Sequence, residues 1–287
     1  DLAEYDLVIS SSNAFEAKAV QVPNGTHICY CHTPPRALYG YSTMTDWKKN
    51  PIIKFAGAII NHYMRIIDFK HAQKVDHFIA NSAETARRIK KFYRRESKII
   101  NPPIDVPTAV QLKKYQQQAD KKYHTNYYLY LNRLSFSKHP DLAVQAANQL
   151  GINLKVVGSG KMEPKLKEMA GDNIDFMGVV SDEELHVLLA GAKGLIYPVE
   201  NEDFGMVPVE AMAHGVPVIS HQSGGPLETV TDGETGIFFK ELTIDGLVKA
   251  INRFKKTKFN SQKIFKHAQQ FSKNNFEKSI KSFIAQL

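Results

Sequence analysis

The stretch YYLYLNRLSFSKHPDLAVQAANQLGINLKVVG, residues 127–158, decides the fold. Both ends are short apolar runs typical of β-strands, and HPDLAVQAANQL between them has the apolar spacing of a helix. Strands that are joined through a helix lie parallel, because a parallel pair needs a crossover connection. The stretch therefore predicts one strand, helix, strand unit of an α/β sheet.

The same alternation continues toward the C-terminus. Further strands are predicted at IDFMG 174–178, GLIYP 194–198, VPVIS 216–220 and GIFF 236–239. Segments with helical periodicity, such as SDEELHVLLAGA, separate them. Six strands with helices between them predict a parallel, doubly wound α/β domain, which we assign to residues 125–258.

The front of the chain has a thinner version of this pattern, with strands predicted at DLVIS, THICY, HFIAN and SKII and helices near 13–20, 51–72 and 82–93. We assign 1–107 to an N-terminal domain. The prolines of INPPIDVP, followed by a polar run, predict a linker over 108–124, and apolar spacing predicts terminal helices over 259–287. The chain begins with Asp1 and runs directly into a strand, so we expect this domain to be incomplete.

Composition excludes several classes of protein. The 43 % hydrophobic and 23 % charged residues are ordinary for a globular protein, and no apolar run approaches the ~20 residues of a membrane span. The net charge of +8 favours anionic partners such as phosphates, nucleic acid or acidic lipid. Cys29 and Cys31 alternate along one predicted strand, which favours buried thiols in a reducing compartment. A metal site shared with His27 and His32 is the alternative, although no second ligand pair follows at zinc spacing.

The segment 200–230 carries the clearest chemistry, because it follows a predicted strand at the edge where open α/β sheets bind ligands. Pro208 and Gly215 predict a helix over 208–214, whose first amides would face an anion. Glu202 and Glu210 stand eight positions apart, so both carboxylates can point into one cleft and accept hydrogen bonds from sugar hydroxyls. The alternatives are that Glu210 offsets the helix dipole and Glu202 is a solvated loop acid.

Two other loops leave the same predicted edge. Arg133 and Lys138 follow the first strand and could converge on a diphosphate. Gly158 and Gly160, in GSGK, would let the backbone approach a ligand closely. The dinucleotide fingerprint needs a third glycine, so this segment argues against a nicotinamide enzyme.

Together these segments resemble the retaining glycosyltransferases of the GT-B fold, family four. The resemblance is carried by EDFGMVPVE at 202–210, RLSFSK, VGSG, SGGPLE at 223–228, and, in the front part, YCHTPPR at 30–36 and ANSAETARRIKKFY followed by INPPID. The combination is similar to bacterial mannosyltransferases that build O-antigen or other surface polysaccharides. It implies two Rossmann-like domains with a cleft between them, and terminal helices that pack back on the N-terminal domain.

The resemblance also implies a role for each matching residue. Arg133 and Lys138 would bind the diphosphate and Glu210 the ribose. Val180 and Asp182 would lie near the base, the alternative being a strand end and a helix cap. The transferred sugar would meet Glu202 and His32, a histidine that could instead be structural. Further contacts with the donor are implied for the glycine loop and the EDFG loop: Gly158, Gly160, Phe204, Gly205, Met206 and Val207.

The activity implied is transfer of a hexose, with mannose favoured, from a nucleotide diphosphate sugar to a glycan or lipid-linked acceptor. GDP-mannose is favoured over UDP-sugars, and neither a metal nor another cofactor is expected, since Arg133 and Lys138 can stabilise the leaving diphosphate. The alternative is a nucleotide-sugar-binding partial or non-catalytic relative that needs a partner for activity. A nucleotide-sugar epimerase fits the EDFG segment poorly.

Basic charge is concentrated in residues 48–98, where 13 Lys and Arg face 4 Asp and Glu. This excess predicts either a solvated helix face or a surface that docks on anionic lipid. Nucleic acid is not expected as a partner, because no recognition helix or stacking motif accompanies the charge. The sequence therefore predicts a cytoplasmic protein, with peripheral attachment to the inner face of the membrane as one possibility.

Overall fold

A computed structural model describes residues 2–13, 16–41, 51–123 and 126–287. The chain divides into two compact units, Asp1–Pro102 and Pro103–Leu287. The division falls five residues before the predicted one. In the described ranges, no helix combines the length and the apolar character that crossing a bilayer requires.

The first unit is a parallel sheet of four strands in the order β1-β2-β3-β4, flanked by helices. Its elements are β1 Leu7–Ser12, β2 Thr26–Cys31, α1 Pro51–Ala72, β3 His77–Ala80, α2 Ala83–Tyr93 and β4 Lys98–Ile99. The four predicted strands and two of the three predicted helices are thereby confirmed. Near 13–20 the described residues form only a 3-10 helix, Glu16–Lys18, while 14–15 lie outside the described ranges.

The core of this unit explains the apolar pattern of its strands. Cys29 and Cys31 are buried on β2 and form no disulfide, which confirms the interpretation as buried strand thiols. Phe78 on β3 and Tyr93 on α2 pack beside them with stacked rings 5.8 Å apart. Helix α2 begins where Ser82 accepts a hydrogen bond from the Thr85 amide at 2.9 Å, a standard N-cap.

The second unit is a parallel sheet of six strands with helices along the chain between them, as predicted. Its strands are β5 Tyr128–Leu131, β6 Leu154–Val157, β7 Ile174–Gly178, β8 Gly194–Tyr197, β9 Val218–His221 and β10 Gly236–Phe239. Its helices are α3 Ala109–Tyr123, α4 Pro140–Leu150, α5 Glu163–Met169, α6 Asp182–Gly191, α7 Met206–Met212, α8 Pro226–Thr229, α9 Ile244–Lys256, α10 Ser261–Ala268 and α11 Lys273–Ile284.

The linker predicted over 108–124 is instead helix α3 of the second unit, with residue 124 outside the described ranges. Lys, Gln and Ala are strong helix formers, and the segment contains neither Gly nor Pro after residue 107. The helix packs on α6: the Tyr123 hydroxyl donates to Glu184, and Lys122 Nζ lies 2.7 Å from the same carboxylate. The polar residues of this segment therefore form the largely exposed surface of a packed helix.

The terminal helices predicted over 259–287 are present as α10 and α11. Ile264 and Ala268 of α10, with Phe271 just after it, are buried in a core cluster of the second unit that also contains Val209 and Met212 of α7. The first terminal helix therefore contributes to the core of the second unit. The packing of the terminal helices on the N-terminal domain stays a prediction.

Candidate functional site

The sheet order of the second unit fixes the position of the site. Strand β5 pairs with β6 on one side and with β8 on the other, so the order β10-β9-β8-β5-β6-β7 reverses direction between β5 and β8. At such a switch point the loops after the two strands separate and leave a crevice at the carboxyl edge of the sheet. The loop after β5 carries Arg133 and Lys138, and the loop after β8 carries Glu202.

The two loops meet in an ion pair. Lys138 Nζ lies 2.5 Å from Glu202 Oε2, and both side chains are about one-fifth exposed. The Tyr130 hydroxyl donates to the Lys138 carbonyl at 3.0 Å, which holds the short 3-10 helix Phe136–Lys138 against the sheet. Arg133 is exposed on the same loop, and its backbone amide donates to Asn132 Oδ1 at 3.0 Å. Three predicted site residues are therefore on adjacent loops.

Gly158 and Gly160 make a close backbone contact within the protein, while their approach to a ligand stays a prediction. A Cβ at Gly158 would overlap the Asn132 carbonyl oxygen, and one at Gly160 would overlap that of Leu134. Two hydrogen bonds join the same segments, from the Leu134 amide to Ser159 O at 2.9 Å and from the Met162 amide to Leu134 O at 3.1 Å. These glycines let the β6 loop support the backbone of the loop that bears Arg133.

Replacing Gly158 by Ala is therefore expected to destabilise the protein more than the same change at Gly233. Both glycines have positive φ, +123° and +81°, but Gly233 has open space where a Cβ would lie. We expect Gly233→Ala to cost about 1–2 kcal/mol from backbone strain alone, and Gly158→Ala to exceed it by about 2 kcal/mol. Urea unfolding measures both, and equal losses would contradict the close backbone contact.

The segment Ser223–Gly225 supports the Glu202 loop, a role that the sequence did not assign. The Gly225 amide donates to Glu202 O at 2.9 Å, and Ser223 Oγ accepts from the Asn201 amide at 3.0 Å. A Cβ at Gly224 or Gly225 would overlap this loop's backbone. The signal was present in SGGP, since paired glycines often mark a close backbone approach.

Helix α7 begins at Met206, two residues before the predicted start, because Gly205 adopts φ +83° at its N-cap. Glu210 therefore lies in the second turn rather than the first, which weakens its interpretation as a residue that offsets the helix dipole. Phe204 is 2 % exposed and its ring packs on Phe271 with centroids 5.7 Å apart. The side chain of Phe204 thus belongs to the core, and Val207 packs partly against the same core.

Three predicted residues line one cleft of about 330 Å³ in the second unit: Asp182, Met206 and Glu210. Asp105 also lines it, and burial together with this neighbouring carboxylate raises the pKa of Glu210. Val180 is half-buried against the core instead. Ser181, not Asp182, caps α6, since its hydroxyl accepts from the Glu184 amide at 3.2 Å. The Asp182 carboxylate is exposed at the cleft.

Two histidines in this cleft could not be singled out from the sequence, because His186 lies on α6 and His214 lies 28 residues later, in the turn after α7. His214 Nδ1 is 2.7 Å from the Glu210 carbonyl oxygen, and His214 Nε2 is 2.9 Å from His186 Nδ1. A carbonyl only accepts, so His214 donates through Nδ1 and accepts at Nε2 from His186. Tyr115 of α3 stacks on His186 with ring centroids 5.0 Å apart and planes 9° apart. Three helices are thereby joined beside Glu210.

This buried pair predicts acid sensitivity. Burial, and more weakly the adjacent His186, lowers the pKa of His214 to about 4. An unfolded histidine has a pKa of about 6.5, so the unfolded chain takes up the proton first as pH falls, and about 3 kcal/mol of stability is lost between about pH 6.5 and pH 4. Urea unfolding should therefore show a shallower pH slope for His214→Gln, whereas His62→Gln, at an exposed histidine, should keep the wild-type slope. Identical slopes would mean that His214 does not contribute.

His32 is the one candidate in the first unit. It is exposed just after β2, with Nε2 3.0 Å from Ser11 Oγ and its ring at the edge of Tyr30. Its carbonyl oxygen accepts from the Thr85 hydroxyl at 3.0 Å. The fully buried Arg88 donates to Thr33 Oγ1 at 2.9 Å, so the loop that starts at His32 is held on α2.

Among the described residues, no group of three or more His, Cys, Asp or Glu is arranged to hold a metal ion. Cys29 and Cys31 do not form such a group with His27 and His32. His27 instead has Nε2 2.9 Å from Ser10 Oγ.

Comparison with known proteins adds a family assignment. The sequence profile described as "Glycosyl transferases group 1" matches residues 112–278, more than half of the chain. Alpha-1,3/1,6-mannosyltransferase alg2 of Schizosaccharomyces pombe is 25 % identical over 252 residues, which covers 72 % of this chain and 47 % of that protein. Alpha-1,3/1,6-mannosyltransferase ALG2 of Kluyveromyces lactis is 26 % identical over 278 residues, which covers 80 % of this chain and 53 % of that protein. The chain thus spans about half the length of these curated relatives.

Solved structures agree in fold. Sucrose-phosphate synthase (tll1590) from Thermosynechococcus elongatus superposes with a TM-score of 0.77 at 20 % identity and covers 99 % of this chain and 74 % of that one. Alr3699/HepE of Anabaena, in complex with UDP and glucose, superposes with a TM-score of 0.74 at 21 % identity. The match covers 99 % of this chain and 78 % of that one. At these identities the likeness concerns the fold alone, and it confirms the predicted GT-B class with parallel α/β sheets.

Proposed function

Because this chain belongs to the group 1 glycosyl transferase family, we propose that it transfers a hexose, mannose in first place, from a nucleotide diphosphate sugar to a glycan or lipid-linked acceptor. The configuration at the transferred carbon is retained in this proposal, as the resemblance to family four implies. Relatives named as mannosyltransferases support the choice of mannose.

The observation that carries the proposal is the Lys138–Glu202 contact of 2.5 Å at the switch point. A cation and a carboxylate side by side suit a donor whose diphosphate lies next to its sugar. Lys138, with Arg133 on the same loop, binds the diphosphate, while Glu202 accepts hydrogen bonds from sugar hydroxyls. Glu210, in the adjoining cleft, accepts from the ribose.

The charges also suit the reaction. Breaking the bond between sugar and diphosphate builds negative charge on the leaving group and positive charge on the ring. Arg133 and Lys138 stabilise the first, so they act more strongly in the transition state than in the ground state. In this proposal Arg133 and Lys138 supply the positive charge that a divalent metal would otherwise supply to the leaving diphosphate. His32 is assigned to the donor sugar because the resemblance implies that role.

The cleft favours guanine as the base. Apart from Lys273, which lies 2.6 Å from Asp105, its polar side chains are carboxylates and the two histidines. With its proton on Nδ1, a neutral His186 presents Nε2 as an acceptor. Guanine offers adjacent N–H donors to such acceptors, whereas uracil offers one N–H between two carbonyl oxygens. Asp182 is the carboxylate that we assign to the base.

A calorimetric titration with GDP, UDP, GDP-mannose and UDP-glucose tests these assignments. We expect GDP to bind at least about tenfold more tightly than UDP, since a bidentate base contact is worth about 1–3 kcal/mol. Arg133→Ala and Glu210→Ala should each lower GDP affinity about tenfold or more, while Glu241→Ala, at an exposed acid away from the cleft, should not.

Each part of the proposal has its own contrary result. Unchanged GDP affinity in both variants would mean that the nucleotide lies elsewhere, and equal affinity for UDP would overturn the base assignment alone. Release of nucleoside diphosphate in the presence of a lipid-linked or glycan acceptor tests transfer. Binding without release would favour the second candidate, a donor-binding chain that needs a partner.

A further inference from the structure

The outward face of helix α1 is apolar. Six large apolar side chains at helical spacing on this face are between 39 % and 72 % exposed: Phe55, Ile59, Ile60, Tyr63, Ile66 and Ile67. Residues three or four apart share one face of a helix, so these six form a continuous outer stripe. A surface helix normally turns such a stripe toward the core, and monomeric soluble proteins rarely expose one of this extent.

Polar contacts on the inner face of α1 prevent the helix from rotating to bury its outer face. Asp68 is fully buried there, 3.0 Å from Lys18 Nζ. Arg65 donates to Leu38 O at 3.0 Å, and Asn61 donates to Ala37 O at 3.3 Å. Rotating the helix to bury the stripe would leave the Lys18 ammonium buried without its carboxylate, which is costly. The outer stripe is therefore held at the surface.

Positive charge lies at the C-terminal end of the outer stripe. Lys70 and Lys74 are exposed at its C-terminal end, and the only acid of α1 is the buried Asp68. The three other acids of the basic region 48–98 are engaged within the unit. Their partners are the His27 amide for Asp76, Arg87 and Arg88 for Glu84, and Lys90 for Glu96. Lys48 and Lys49 of that region lie outside the described residues.

We propose that the outer stripe docks on a bilayer that contains anionic lipid, with the axis of α1 parallel to the membrane plane. The apolar side chains enter the boundary between headgroups and acyl chains, and Lys70 and Lys74 contact lipid phosphates. A two-fold pairing of two stripes would place the same cations of both copies in one isologous interface, which disfavours self-association. This inference does not depend on the transfer reaction.

Sedimentation of the full chain with sucrose-loaded vesicles tests the proposal. Vesicles of phosphatidylcholine alone are compared with vesicles that contain about one-third phosphatidylglycerol. The triple variant Ile59→Gln, Tyr63→Gln, Ile66→Gln should bind the anionic vesicles at least about tenfold more weakly than wild type. The matched control, Val110→Gln with Leu287→Gln, replaces exposed apolar residues of the second unit and should bind like wild type.

Charge is tested separately. Lys70→Gln and Lys74→Gln should each lower affinity for anionic vesicles about fivefold and leave the weak binding to phosphatidylcholine unchanged. Retained melting temperatures show that the variants fold. Wild type that fails to bind anionic vesicles, or a triple variant that binds as well as wild type, would overturn the proposal. So would a wild-type dimer in light scattering that the triple variant converts to a monomer.

Discussion

The Glu202→Gln variant is expected to lose about 10²–10³-fold in the rate of sugar transfer. The amide keeps the shape of the side chain but removes the negative charge that accepts from sugar hydroxyls beside Lys138. Affinity for nucleoside diphosphate alone should rise several-fold, since Lys138 no longer has a carboxylate at 2.5 Å to compete with the phosphate. Transfer kinetics and calorimetry with GDP measure the two effects.

The control for this variant is Glu200→Gln, two residues earlier in the same loop, which should keep wild-type transfer. The opposite directions of the two effects make the test specific. A loop that had merely become disordered would weaken GDP binding and transfer together. If Glu202→Gln transferred sugar at the wild-type rate, the assignment of Glu202 to the donor sugar would be wrong.

Asp68→Ala should produce the largest loss of stability, about 3–5 kcal/mol. Asp68 is fully buried, 3.0 Å from the buried Lys18, and accepts from the hydroxyls of Tyr39 and Tyr93 at 2.8 Å each. Its removal leaves one buried ammonium and two hydroxyls without their partner. Urea unfolding followed by circular dichroism measures the loss.

The matched control is Asp6→Ala, at an exposed acid, which should change stability by less than about 0.5 kcal/mol. Tyr39 belongs to the loop that begins at His32, so Asp68→Ala should also loosen that loop and expose it to limited proteolysis. Equal stability of the two variants would show that water can replace Asp68 in the first unit.

The sheets could be predicted from the sequence because parallel strands are buried on both faces and appear as short apolar runs. Helix α3 could not, since its sequence is polar and its place depends on α6. Tyr123 and Tyr115 contact Glu184 and His186, about 61 and 71 positions later in the chain. Such distant partners leave no local pattern.

In the candidate site, too, contacts between residues far apart in the chain could not be predicted. Lys138 and Glu202 could be singled out because each follows a strand at the carboxyl edge. Their 2.5 Å contact forms because β5 and β8 are neighbours in the sheet. The order of the strands in the sheet could not be predicted from the sequence. A close backbone approach could be predicted for Gly158 and Gly160, but their contact with the backbone of Asn132 and Leu134 could not, because those residues belong to a different loop.

The place of β5 in the sheet has a consequence for biosynthesis. The ribosome delivers β5, β6 and β7 in order, so that half of the sheet can form while β8 has not been made. Until Gly194–Tyr197 emerges, one edge of β5 is unpaired, with Tyr128 and Leu129 on it. Unpaired edges of apolar strands recruit other chains. The nascent polypeptide therefore exposes an edge open to aggregation during this interval, and the strand that later completes the crevice is also the one that covers this edge.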